Sequence, residues 1–197
     1  GVRPGRRSTR WCRRRSPSAA PARRQVTLPV HPSAHLEFAE PALTMVSRET
    51  LNFLTYLREK NPTAADARYN AMLASAATNA QSDANTVSLL ASYIFTPHLY
   101  VTFSGGGTST SQSSSEIKPA DVTPELRNAF FQAGASILLR PLPQPGQPDE
   151  SSSGLDGKFL VIKRLLPFFE QFAPADMTES LRAHLNALNS LVTDNTR

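Results

Sequence analysis

The stretch DMTESLRAHLNALNSLV at residues 176–192 decides the fold class. Its apolar side chains recur at spacings of four, four, three and four positions, the period of an amphipathic helix. They are Met177, Leu181, Leu185, Leu188 and Val192. At the start of the stretch, Asp176 and Glu179 have the spacing of a capping box. Because an apolar stripe must be buried against neighbours, the stretch predicts a packed helical domain.

Five further segments carry helical patterns bounded by caps or prolines. They span residues 47–60, 63–80, 83–95, 124–140 and 156–172. Ser47, Asn61 and Thr123 are predicted N-caps, because their side-chain oxygens can accept a bond from a free amide of the first turn. Pro62 and Pro124 follow at the first helical position, where proline costs no hydrogen bond.

About six helices joined by short turns predict an all-α domain of antiparallel helical hairpins. Two arrangements stay open: an irregular bundle, or a segment of a HEAT-like or TPR-like solenoid, for which no internal repeat is found. On the first helix, Phe53 and Tyr56 are expected to widen the apolar face. Residues 97–103 fit a short extended segment and a helical turn equally well, because no partner strand is evident.

The first 44 residues differ in composition from the rest. They hold nine arginines and two glutamates, a net charge of +7, whereas residues 45–197 hold 12 basic and 14 acidic residues. We therefore predict a disordered Arg-rich tail at 1–44 and a helical domain at 45–197, with flexible loops at 104–119 and 141–155. Three interpretations of the tail stay open: a leader outside the native coding sequence, a mitochondrial transit peptide, and a basic arm for nucleic acid.

Cysteine content and hydropathy bear on the compartment. Cys12 is the sole cysteine, so no disulfide can form within the chain. No apolar run approaches the roughly 18–20 residues that cross a bilayer, so no membrane span is predicted. These features favour an intracellular protein of the cytoplasm or nucleus, or of the mitochondrion if the tail is a transit peptide.

Four histidines are the first candidates for chemistry. His98 follows a proline and His184 lies beside the apolar stripe of the last helix, and both are expected to be structural. His31 and His35 are four residues apart, but the neighbouring prolines oppose the helix that would bring them together. We predict no metal site and no catalytic residue.

Two short motifs match known sites only by letter. Ser115 and Lys118 have the Ser-x-x-Lys spacing, but the partner motifs of such enzymes are missing. The glycines at 105–107 are not followed by the lysine of a phosphate-binding loop. No cofactor is predicted, and the case for an enzyme is weak.

The helix at 156–172 is apolar on more than one face, which is typical of a helix that also meets a partner. Its predicted partner-binding residues are Phe159, Leu160, Lys163, Arg164, Phe168 and Phe172. The sequence therefore predicts a non-enzymatic protein-interaction module, a scaffold or adaptor subunit of a larger intracellular complex. Two alternatives stay open: a nucleic-acid-associated protein that uses the basic tail, and a small helical enzyme that uses His98.

Overall fold

The computed structural model describes residue 1 and residues 45–104, 107–114, 118–144 and 147–197. Six helices hold 62 % of these residues, and one two-stranded sheet accompanies them. The helices are α1 (Arg48–Lys60), α2 (Pro62–Thr78), α3 (Ala84–Phe95), α4 (Pro124–Leu138), α5 (Gly154–Phe172) and α6 (Ala175–Asn189). The strands are β1 (Leu99–Ser104) and β2 (Gly107–Gln112). The predicted tail lies outside the described residues.

The three predicted N-caps are confirmed. The side-chain oxygens of Ser47, Asn61 and Thr123 accept the amide three residues onward at 3.1, 3.0 and 3.3 Å. Pro62 and Pro124 open α2 and α4 at the predicted positions. Local sequence therefore determines where α1, α2 and α4 begin.

The predicted capping box at Asp176 and Glu179 is wrong. Helix α6 begins at Ala175 behind Pro174, and no side chain caps it. The Thr178 hydroxyl instead donates to the carbonyls of Phe169 and Pro174, each at 3.2 Å. These bonds anchor the tight turn between α5 and α6, so the helix starts one residue before Asp176.

Helix α3 occupies the centre of the fold. It contacts α1, α4, α5 and β1, and its residues from Leu90 to Ile94 are all buried. Helix α5 also contacts β1, and α6 contacts α4, so helices distant in the chain share one core. In a solenoid each unit contacts only its neighbours. These contacts are those of an irregular bundle and do not show a solenoid.

The domain is not purely all-α, because β1 and β2 form an antiparallel hairpin that pairs Leu99 with Gln112. Of the two alternatives for residues 97–103, the extended segment forms and the helical turn does not. Its partner strand β2 lies inside the segment 104–119, which the sequence predicts to be a flexible loop. Strand β2 is mostly exposed, so its sequence needs no apolar alternation. Two hydrogen bonds from the Asn85 side chain of α3 hold strand β1. Asn85 Oδ1 accepts a hydrogen bond from Phe103 N at 2.7 Å, and Asn85 Nδ2 donates one to Phe103 O at 2.8 Å.

Candidate functional site: a groove beside the first helix

Two aromatic side chains of α1 stand on the surface. Phe53 and Tyr56 are each 49 % exposed, whereas Leu51 and Leu54 of the same helix are fully buried. Residues three apart lie side by side on a helix, so the two rings form one patch. The expectation that they widen the buried face is therefore wrong, because the described residues leave about half of each side chain exposed.

His98 connects this patch to the hairpin. Its backbone has a φ of 68°, a conformation that is uncommon outside glycine, and its ring is buried. The ring meets the Tyr56 ring at a centroid distance of 5.2 Å. His98 Nδ1 lies 3.1 Å from both Asn52 Oδ1 and Ser113 Oγ. Because an amide oxygen can only accept, Nδ1 carries the proton in this arrangement.

The hydroxyl of Ser113 bears on the enzyme alternative. Ser113 Oγ lies 3.0 Å from Asn52 Oδ1 and donates to it. A serine nucleophile needs its proton directed at a base, but here the proton points at an amide oxygen. The backbone amide of Ser113 also donates to His98 O at 2.9 Å. Asn52, His98 and Ser113 thus join α1 to the hairpin and do not form an activated nucleophile.

A groove of about 580 Å³ runs beside these residues. One wall comes from α1 through Thr55, Arg58 and Glu59, and the opposite wall includes Pro97 and His98. The groove reaches the exposed aromatic side chains only through His98, whose ring contacts that of Tyr56, and polar side chains lie along its edge. Apolar clefts with a few polar groups are typical ligand or partner sites.

A network of bonds makes the α1 wall rigid. The Tyr93 hydroxyl donates to Asp66 Oδ1 at 2.7 Å, and Arg58 Nε forms an ion pair with the same oxygen at 3.2 Å, although its N–H is not aligned for a hydrogen bond. Arg58 also donates to Asp121 O. The Tyr69 ring stacks on Tyr93 at 4.2 Å. Burial, reinforced by the bond to Asp66, raises the pKa of Tyr93, so this phenol remains a donor.

Three of the partner-binding residues predicted on α5 are used in packing. Phe159 is buried, and Phe168 stacks on Phe95 with ring centroids 4.2 Å apart. Arg164 is partly buried and lies 3.4 Å from Ser88 Oγ, and burial lowers its pKa. These side chains stabilise the contact between α5 and α3.

The other three predicted residues reach the surface. Phe172 is 37 % exposed, and the Arg127 guanidinium lies 4.5 Å from its ring centroid. Lys163 is exposed and lies 5.6 Å over the Phe159 ring, and Leu160 is partly buried. The six predicted residues therefore divide between the interior and the surface and do not form one continuous apolar face.

The remaining predicted candidates are placed as follows. His184 lies on α6, partly buried, and its Nε2 has no hydrogen-bond partner among the described residues. His31, His35 and Ser115 lie outside the described residues, as do the first two glycines of the 105–107 run. In the part of the chain that the structure describes, no cluster of three potential metal ligands occurs.

The described residues form a helix-rich fold with a small two-stranded sheet and a groove beside α1. Comparison with protein-family models, with curated proteins and with solved structures finds no match for this chain. None of the described helices has both the length and the apolar content needed to cross a bilayer. The function is therefore inferred from the surface itself.

Proposed function

We propose that the chain is a protein-interaction module, an adaptor or scaffold subunit, that binds a partner protein through the Phe53–Tyr56 patch. The observation that supports this is the exposure of Phe53 and Tyr56, which lie three residues apart on one helix, with Tyr56 in contact with His98 of the groove. Aromatic side chains are enriched among the residues that dominate binding energy at protein interfaces. They also lose little conformational entropy when a partner covers them.

The surroundings of the patch fit an interface with an apolar centre and a polar rim. Glu49 and Lys60 are exposed on the same helix, and Arg58 and Glu59 lie along the groove. Because the charge of Arg58 is compensated by Asp66, this wall does not favour a strongly anionic ligand. The chemistry suits a partner that inserts an apolar side chain into the groove and covers both rings.

A photo-crosslinking experiment in cells tests this proposal. The variant Phe53→benzoylphenylalanine is expected to give a discrete adduct with one partner protein. Glu179→benzoylphenylalanine, at an exposed position on α6, is the matched control and should not give that adduct. Adding Tyr56→Ala should weaken partner binding roughly 30-fold, the effect of losing one dominant interface side chain. Identical adduct patterns from positions 53 and 179 would refute the proposal.

The exposed part of α5 is a second proposed surface for the same function. Phe172 combines exposure with an adjacent guanidinium from Arg127, and aromatic and arginine side chains are common at interfaces. Phe172→benzoylphenylalanine in the same experiment decides between the two surfaces. An adduct from position 172 alone would move the interface to α5.

A further inference from the structure

A second cavity, of about 600 Å³, lies on another side of the molecule. Its walls come from the segment between α2 and α3, the end of α4, the proline-rich connection after it, and the first turns of α5. The lining residue that stands out is Lys158, which projects from α5. A lysine that lines a cavity and is partly buried differs from one that extends into solvent.

The surroundings of Lys158 are unusual for an ammonium group. Its Nζ donates to Arg140 O at 2.9 Å. Among the described residues, no carboxylate lies within ion-pair distance of this nitrogen. The Arg140 guanidinium is itself engaged by four backbone carbonyls and adds positive charge nearby. A charged Lys158 therefore has one neutral acceptor and a neighbouring cation.

The ionisable groups around Lys158 act in opposing directions. Burial is the largest influence on the pKa of Lys158 and lowers it. Asp149 raises this pKa and Arg140 lowers it, and the net value is about 8. Asp83 and Glu150 also line the cavity. On α6, burial is the main influence that lowers the pKa of His184, and the charge of Lys158 adds to it. At neutral pH a larger fraction of Lys158 is then the uncharged amine than of an ordinary exposed lysine.

We propose that Lys158 is a reactive amine that binds small neutral aldehydes as an imine in this cavity. An uncharged amine is the nucleophilic form of lysine toward carbonyl carbon. The nitrogen attacks the carbonyl carbon to form a C–N bond, and the carbonyl oxygen leaves as water with the two amine protons. No oxidant or reductant is needed.

The charge of the cavity selects the kind of aldehyde. Asp83, Asp149 and Glu150 outnumber the cations Arg140 and Lys158 on its walls. The excess of carboxylates disfavours an aldehyde that carries phosphate or carboxylate groups. An uncharged aldehyde fits this charge, and the cavity of about 600 Å³ is large enough to admit a small one such as glycolaldehyde.

Trapping with glycolaldehyde tests the proposal on the full chain. The protein is incubated with the aldehyde from pH 6 to pH 10, imines are reduced with borohydride, and the modified lysines are mapped by mass spectrometry. Lys163 is the matched control, because it lies on the same helix and is exposed. At pH 7 we expect Lys158 to be modified at least about tenfold faster than Lys163, since more of it is uncharged.

The pH profile gives an independent readout that needs no variant. Modification of Lys158 should level off above pH 8, while that of Lys163 should continue to rise toward pH 10. The ratio of Lys158 to Lys163 modification should be lower with glyoxylate, which carries a carboxylate, than with glycolaldehyde. Equal rates at Lys158 and Lys163, or a Lys158 rate that still rises steeply above pH 9, would overturn the proposal.

Discussion

The guanidinium of Arg140 closes the end of α2, and its removal is a sharp test of the packing described above. Nη1 donates to Ala80 O at 3.0 Å and Ser82 O at 2.6 Å. Nη2 donates to Ala77 O at 3.3 Å and Asn79 O at 3.0 Å. Ala77 O belongs to the last turn of α2, where the carbonyls have no partner within the helix and the helix dipole favours a cation. The other three carbonyls lie in the segment between α2 and α3. One side chain just after the end of α4 therefore satisfies groups some sixty residues away.

The loss of folding stability expected on removal of the Arg140 guanidinium depends on which of these hydrogen bonds water can replace. The bonds to Ala80 and Asn79 are exposed, so water takes over when the guanidinium is removed. The bonds to Ser82 and Ala77 are partly buried. A hydrogen bond to a charged group contributes about 1.5–3 kcal/mol, and two at the lower end give about 3 kcal/mol. Arg140→Met should lower the free energy of unfolding by that amount, or the melting temperature by about 10 °C.

Urea unfolding followed by circular dichroism measures this loss. The matched control is Arg182→Met, which removes an arginine from an ion pair with Glu170 whose side chains are 51 % and 44 % exposed. Exposed pairs contribute at most about 1 kcal/mol, so the control should unfold close to the wild type. Arg140→Lys should fall between the two, because lysine cannot reach four carbonyls at once. If Arg140→Met and Arg182→Met unfolded at the same urea concentration, the reasoning would be refuted.

Two further predictions concern packing and alkaline stability. Gly157→Ala should destabilise the fold by about 1–3 kcal/mol, because the new Cβ would lie 2.8 Å from Phe103 Cβ. Gly134→Ala should be near neutral, because its Cβ would lie 3.4 Å from the nearest side-chain atom, an ordinary van der Waals contact. Melting temperatures of both variants check this, and a Gly157→Ala protein as stable as Gly134→Ala would contradict it. Burial raises the pKa of Tyr100 to about 12 and that of Tyr93 further. The phenols of the unfolded chain lose their protons near pH 10, so the free energy of unfolding should fall between pH 10 and 12. Urea titrations that show constant stability over this range would contradict the prediction.

The helix starts of this fold are predictable because they are local. Ser47, Asn61 and Thr123 each need only an amide three residues away, and the sequence supplies both partners. The start of α6 is different. There Thr178 bonds to Phe169 O in the preceding helix, a contact that depends on how the two helices meet.

The hairpin and the candidate site depend on contacts between distant segments. Strand β2 has no apolar pattern, and the Asn85 side chain that holds β1 is 18 residues from Phe103. The sequence pattern places Phe53 and Tyr56 on the buried face because it shows which side chains are apolar, not which side of a helix a neighbour covers. The groove is not predictable for the same reason, since its walls come from α1 and from the segment around His98.

The start of α3 is bonded to the start of α5, and this bonding also shapes the second cavity. Asp83 Oδ1 accepts Thr86 N at 3.1 Å and so caps α3. Its Oδ2 accepts the Ser152 hydroxyl at 2.6 Å and Ser153 N at 3.1 Å, just before α5 begins. Because one carboxylate bonds to both helix starts, α3 and α5 cannot shift independently without breaking these bonds. Asp83 also lines the cavity of Lys158, so the residue that aligns the two helices also fixes one wall of the proposed aldehyde site.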